Sequence, residues 1–246
     1  MQRYFIEQPF ENGQATLTGD DAKHISRVMR MTAGERIIVV SEGIAHICEI
    51  NDVEQDVVVS TTGETIPSPE MPHHVSIACG LPKGDKLELI AQKGTELGMY
   101  ALVPFAAERS VVKWDEKKGK KNTERLQKIA KEAAEQSHRT HIPTVQAPVS
   151  FKQLLQTFSS YDIVFIADEE DAKLEVRQTF AQKLKALDAT KPLRILCIFG
   201  PEGGISRKES EAMVEANAQT MSLGPRILRA ETAPLYALSA ISYEFE

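Results

Sequence analysis

The chain has 246 residues, 42% hydrophobic and 26% charged, an ordinary globular composition with enough length to bury a core without staples. No run approaches the ~20 apolar residues of a membrane span, and the start, MQRYFIEQPF, lacks the apolar stretch of a signal peptide. Three scattered cysteines, Cys48, Cys79 and Cys197, suggest neither a disulfide framework nor a zinc site, so a cytoplasmic protein with reduced thiols and no bound metal is expected.

In chain order, RYFIE, QATLT, RIIVV, AHICEI and DVVVS read as short strands separated by turn residues. Between the second and third, GDDAKHISRVMR reads as a helix, with Asp20 or Asp21 as N-cap and Ile25, Val28 and Met29 on one face. Five strands and a helix predict a small barrel over residues 1–70. TIPSPEMPHH, with three prolines and no periodicity, reads as a linker that includes His73 and His74.

From residue 74 to 246 strands alternate with helices, which predicts an α/β domain with a largely parallel sheet. VSIAC and ALVPF read as strands flanking a helix over 85–98, where Asp85 and Glu88 resemble a capping box. TERLQKIAKEAAEQS places Leu126, Ile129, Ala130 and Ala133 on one stripe, with i,i+4 charge pairs such as Glu124–Lys128 on its exposed side. DIVFIA and LRILCIF are buried-type strands with a charged helix-like segment between them. Ser206 and Glu209 form an S-x-x-E capping box for a helix over about 207–218, TMSLG is a last strand, and a helix rich in small residues closes the chain.

The net charge of −6 speaks against a polyanion partner, yet it is unevenly spread. Residues 109–141 carry ten Lys/Arg and five Asp/Glu, a net of +5, against −11 for the remainder. Such a block is either a local footprint for a polyanion or a lysine-rich loop (Lys117, Lys118, Lys120, Lys121) leading into a solvated helix.

Two loops carry the chemistry. LRILCIF runs into GPEGGIS, so a buried strand ends in Gly200, Pro201, Glu202, Gly203 and Gly204 at the sheet edge where open α/β sheets bind ligands. TMSLG runs into PRILRAE, which sets Arg226 and Arg229 beside a second glycine loop. Neither is a dinucleotide fingerprint or a P-loop. The first serves equally as a tight strand-to-helix connection, and the two arginines also suit salt bridges with Glu231 or with a neighbouring subunit.

FGPEGGIS followed some twenty residues later by LGPRILRAETA resembles the bacterial 16S ribosomal RNA uridine-N3 methyltransferase family, within the SPOUT superfamily of knotted methyltransferases. HISRVMRMTAGERI, KLELIAQKGTELG, ERSVV and EAAEQSHRTHIP extend the resemblance over the whole chain. It implies a PUA-like β-barrel (1–70), a SPOUT domain (74–246) with a trefoil knot, a homodimer, and S-adenosylmethionine as cofactor. Gly200, Glu202, Gly203 and Gly204 would line one side of that cofactor, and Leu223, Gly224, Ile227 and Leu228 the other. Arg226 or Arg229 would stabilise a developing uridine anion; Glu231 or Glu202 would accept the proton or, as readily, be structural, capping amides or pairing with an arginine. Arg27, Arg30, Arg109, Lys113, Arg125 and Arg139 become candidate phosphate contacts to 16S RNA within the small ribosomal subunit. A related SPOUT enzyme acting on another RNA site, or a non-catalytic RNA-binding assembly factor, is the alternative.

Overall fold

The computed structural model describes residues 1–167, 179–188 and 190–246 and divides the chain into two compact units. The first comprises Met1–Glu70 with Ala134–His141, the second Met71–Ala133 with Ile142–Glu246.

In the first unit, β1 (Arg3–Phe5), β2 (Gln14–Leu17), β3 (Arg36–Ser41), β4 (Ile44–Val53) and β5 (Val57–Ile66) form a sheet of order β1-β3-β4-β5-β2. Only β1–β3 among these pairs is parallel. Alternation along β3 puts Ile37 and Val39 into one buried cluster and Ile38 and Val40 into another, so the strand is covered on both faces. Glu42 (φ 50) and Gly43 (φ 78) turn β3 into β4, as the paired left-handed positions of a tight hairpin require.

The predicted helix over GDDAKHISRVMR differs in its caps and its winding. Thr18, not Asp20 or Asp21, precedes α1 (Gly19–Lys23), and the two aspartates lie in its first turn, where their charge favours the helix dipole. From His24 to Val28 the winding widens to a π-helix, closed by the Met29 amide donating to the His24 carbonyl at 2.9 Å. The extra residue per turn rotates Val28 and Met29 away from buried Ile25, leaving Val28 67% exposed.

Arg139 is not on the open surface. It is 4% exposed within the first unit, its guanidinium paired with Glu70, which also accepts the Thr140 amide at 2.8 Å. Burial works to raise the Glu70 carboxyl, but the Arg139 guanidinium and the Thr140 and His141 amides hold it below the usual carboxylate range. Arg139 is thus an internal tie, not an exposed phosphate contact.

In the second unit, β6 (His74–Gly80), β7 (Ala101–Ala106), β8 (Thr144–Val145), β10 (Ile163–Ala167), β11 (Arg194–Phe199) and β12 (Gln219–Met221) give the order β12-β10-β11-β6-β7-β8, with β9 (Val149–Ser150) also on β7. Every pairing is parallel. Ile195, Cys197 and Phe199 of β11 face a core built with α2 (Lys86–Glu96), α3 (Glu116–Gln136), α5 (Phe180–Lys185) and α7 (Thr232–Phe245). Leu196 and Ile198 face the other layer, α4 (Phe151–Thr157) and α6 (Arg207–Glu215). Burial on both faces is what near-continuous apolar strands encode.

Several local expectations shift here. His74 opens β6 and His73 is buried, its Nδ1 accepting the Leu193 amide at 3.2 Å, so neither is linker. Asp85 precedes α2 without a side-chain cap: its own carbonyl takes the Glu88 amide at 2.9 Å, and the Glu88 carboxylate pairs with Arg125 at 2.7 Å. The lysine run at 117–121 lies inside α3, whose start is held by Asp115 Oδ1 accepting the Lys118 amide at 2.7 Å. Ser206 and Glu209 do form a capping box, and the helix they start ends at Glu215. The charged segment between β10 and β11 falls largely on residues 168–178, outside the described residues; its described end is α5.

Candidate functional site

Because the strands of the second sheet are parallel, the loops after β6, β7, β11 and β12 emerge at one edge. The loop after β11 is wedged there by close backbone contacts. A Cβ built on Gly200 would lie 2.5 Å from the Gly204 carbonyl carbon and 2.6 Å from the Ile205 nitrogen, and one on Gly80 would lie 2.5 Å from the Pro201 ring. No side chain fits at either position, so the loop folds back on itself against the end of β6.

Three side chains then bind this loop to its neighbours. Arg109 donates from Nη1 to the Gly203 carbonyl at 3.0 Å. Glu108 accepts the Ser206 hydroxyl at 2.7 Å, and Glu209 accepts the Glu108 amide at 2.8 Å. On the opposite side, Glu202 Oε1 accepts both the Lys83 amide at 2.9 Å and the Lys86 ammonium at 2.8 Å.

Lys86 also reaches the second loop, with its Nζ 3.5 Å from Glu231 Oε2. One ammonium therefore ties the loop after β11 to the start of α7. The hydrogen bond and charge of Glu202, with Glu231 behind it, raise the Lys86 pKa above its ordinary value. Glu202 is partly desolvated, which would raise it. Lys86, its own amide and the Lys83 amide outweigh that and hold it below the usual range. Sequence reasoning missed Lys86, although KGDKLE places a cation at the first position of a helix that begins on the ligand edge.

The loop after β12 is differently built. Gly224 has φ +99 and nothing within 4 Å of a Cβ position, so it faces open space in a left-handed conformation. Leu223 and Leu228 are half-buried, while Ile227 is 80% exposed. Arg226 and Arg229 are exposed and, among the described residues, form no ion pair; Glu231 is taken by Lys86 instead. The Arg229 carbonyl accepts the Thr232 amide at 2.9 Å and starts α7.

Of the basic candidates, Lys113 is exposed and Arg125 is exposed but held by Glu88. Arg109 belongs to the loop site itself. Arg27 and Arg30 are exposed in the first unit, Arg30 at φ +54.

A family model for an RNA methyltransferase domain matches residues 69–242, and one for an RNA methyltransferase PUA domain matches residues 17–58. The ribosomal RNA small subunit methyltransferase E of Bacillus subtilis (strain 168) is 50% identical over 255 residues, covering 100% of this chain and 98% of its own. The chain belongs to the ribosomal RNA small subunit methyltransferase E family.

Solved structures agree with that membership. One of a hypothetical protein has a TM-score of 0.90 at 47% identity, over 100% of this chain and 99% of that one. The ribosomal RNA small subunit methyltransferase E of Neisseria gonorrhoeae, bound to S-adenosyl methionine, has a TM-score of 0.83 at 27% identity, over 98% and 96% of the two chains. The fold of the family is the one expected, a parallel α/β domain preceded by a PUA-like unit. No helix among the described residues is long and apolar enough to cross a membrane.

Proposed function

We propose that this protein methylates N3 of a uridine in 16S ribosomal RNA, within the small ribosomal subunit, using S-adenosylmethionine. The observation that carries the reading is the pair of loops after β11 and β12, brought to one sheet edge and joined through Lys86.

The residues present fit that cofactor. An isoleucine left 80% exposed near an open left-handed glycine is an unused apolar wall, and the wedged glycine loop at the same sheet edge offers backbone groups in place of side chains. Gly200, Glu202, Gly203 and Gly204 would hold one side, with Leu223, Gly224, Ile227 and Leu228 on the other. When bound, S-adenosylmethionine supplies an electrophilic methyl group on a sulfonium centre.

The chain's own residues must orient the uridine and favour the loss of its weakly acidic N3 proton. Arg226 and Arg229 carry fixed charge on an exposed loop, where they can stabilise the anion as it forms. Glu231 and Glu202 are poorly placed as proton acceptors, since both are engaged by Lys86 and Glu202 is held in its weakly basic form. They act as braces that keep the two loops in register, and proton transfer falls to solvent or the RNA. Arg27, Arg30 and Lys113 serve as phosphate contacts, while Arg125 is neutralised by Glu88.

A homodimer is part of the reading. Tyr236 and Tyr243 sit one above the other on α7, both exposed, with Ser239 and Ala240 between them, an aromatic and small-residue stripe suited to a second copy. Sedimentation that finds only monomer would remove this element. The trefoil knot is a second element; its support is that the chain leaves β11 and crosses to the far side of β10 before α7. A crystal structure tracing an unthreaded path would remove it.

Calorimetry with S-adenosylmethionine tests the reading. Saturable binding at one site per chain is expected, and no measurable binding would sink it.

A further inference from the structure

Behind the loop after β6 lies a cleft of about 280 Å3 within the second unit. Pro82 and Gly84 of that loop line it, on the same stretch that meets Glu202 through the Lys83 amide and Lys86. One short loop therefore separates the cleft from the candidate reaction site. The other walls include Val112, Trp114, Lys118, Asn122, Arg125 and Glu88.

The makeup of these walls is selective. Trp114, the one tryptophan of the chain, packs against the main core and also lines the cleft, so its ring is held in place before anything binds. Asn122 brings an amide able to donate and accept. Glu88 holds the Arg125 guanidinium at 2.7 Å and balances its charge, which leaves Lys118 as the net positive group of the cleft. Lys117, Lys120 and Lys121 are exposed on the same helix, α3.

We propose that this cleft is a nucleotide subsite that takes one base of the RNA strand flanking the methylated uridine, with Lys118 on its phosphate. The proposal rests on the methyltransferase reading for its substrate. A fixed aromatic ring, an amide and a lysine together match single-stranded RNA, whose unstacked bases pile on aromatic faces and show their edges to polar side chains. An acidic peptide would use the lysine and leave the tryptophan and the amide idle. The volume lies just under the ~300–1,000 Å3 of whole small-molecule pockets, which suits a single nucleotide unit. A target base must leave its stack to be modified, and anchoring its neighbour next to the reaction site keeps the strand splayed.

The single tryptophan makes the test direct. A short single-stranded oligoribonucleotide of mixed sequence is titrated into the full-length protein without cofactor while tryptophan fluorescence is followed. Saturable quenching that weakens with salt is expected. Lys118→Ala and Asn122→Ala should each weaken it, and raise KM for 16S RNA roughly tenfold, the scale of one lost base or phosphate contact. Their cofactor affinity by calorimetry should match the parent protein. Trp114→Phe, followed by filter binding, should keep most of the affinity that Trp114→Ala loses, which separates stacking from misfolding. Unquenched fluorescence, or unchanged KM in both variants while the parent binds cofactor and methylates, overturns the subsite and leaves the methyltransferase reading standing. Equal quenching by polyglutamate overturns it in favour of an acidic protein partner. RNA quenching by a parent protein that binds no cofactor would instead overturn the methyltransferase reading.

Discussion

Lys86 is the residue on which the two loops depend. Its ammonium meets Glu202 at 2.8 Å and Glu231 at 3.5 Å, and both carboxylates sit on segments proposed to enclose the cofactor. Lys86→Met should therefore loosen the pocket and weaken cofactor affinity by about tenfold. Lys86→Arg should recover part of it. Unaltered affinity in the methionine variant would show that the bridge does not shape the site. A separate tie, Glu70 with Arg139, governs stability in the first unit. Glu70 is held below its ordinary pKa, so its stabilising effect is complete above the unfolded value near 4.5 and disappears as pH falls through the folded value. Glu70→Gln, which leaves buried Arg139 without this carboxylate, should cost on the order of 3 kcal/mol at neutral pH. Urea midpoints should show that gap closing as the pH drops below the carboxylate range. A gap independent of pH would mean that the charge of Glu70 contributes nothing.

At the scale of elements, the loop after β11 is shaped by what its glycines exclude. Gly200→Ala puts a Cβ against main-chain atoms of Gly204 and Ile205, which no rotamer can relieve. The loop must shift, at a cost of about 1–3 kcal/mol of overpacking, and cofactor binding should fall below calorimetric detection while the circular dichroism spectrum persists. Wild-type affinity would contradict the wedge. Much of this architecture was legible beforehand, because buried parallel strands such as RILCIF are written as continuous apolar runs and the S-x-x-E box marks a helix start locally. Other features were not, because they depend on distant partners. Arg139 looks like one more cation in a basic stretch, and nothing nearby in sequence shows that Glu70 buries it. Glu88 looks like part of a cap, yet Arg125, 37 residues on, claims it. The π-turn at His24 escapes periodicity because a 3.6-residue template assigns Val28 and Met29 to a core they do not enter.

For the whole molecule, the charge map and the reaction point the same way. A chain of net −6 carries a net +5 on residues 109–141, and the lysines of α3 within the second unit run past a cleft one loop away from the candidate site. Field and chemistry therefore share a region despite the acidic total. Methyl transfer to one position can be measured by following labelled methyl groups from S-adenosylmethionine into small ribosomal subunits that lack the modification. Mass spectrometry of the digested 16S RNA then identifies the product. A single N3-methyluridine is expected, formed by the parent protein and absent with Arg229→Ala, which should still bind cofactor. Label on another base or another atom, or none in a protein that binds the cofactor, would contradict the proposed function.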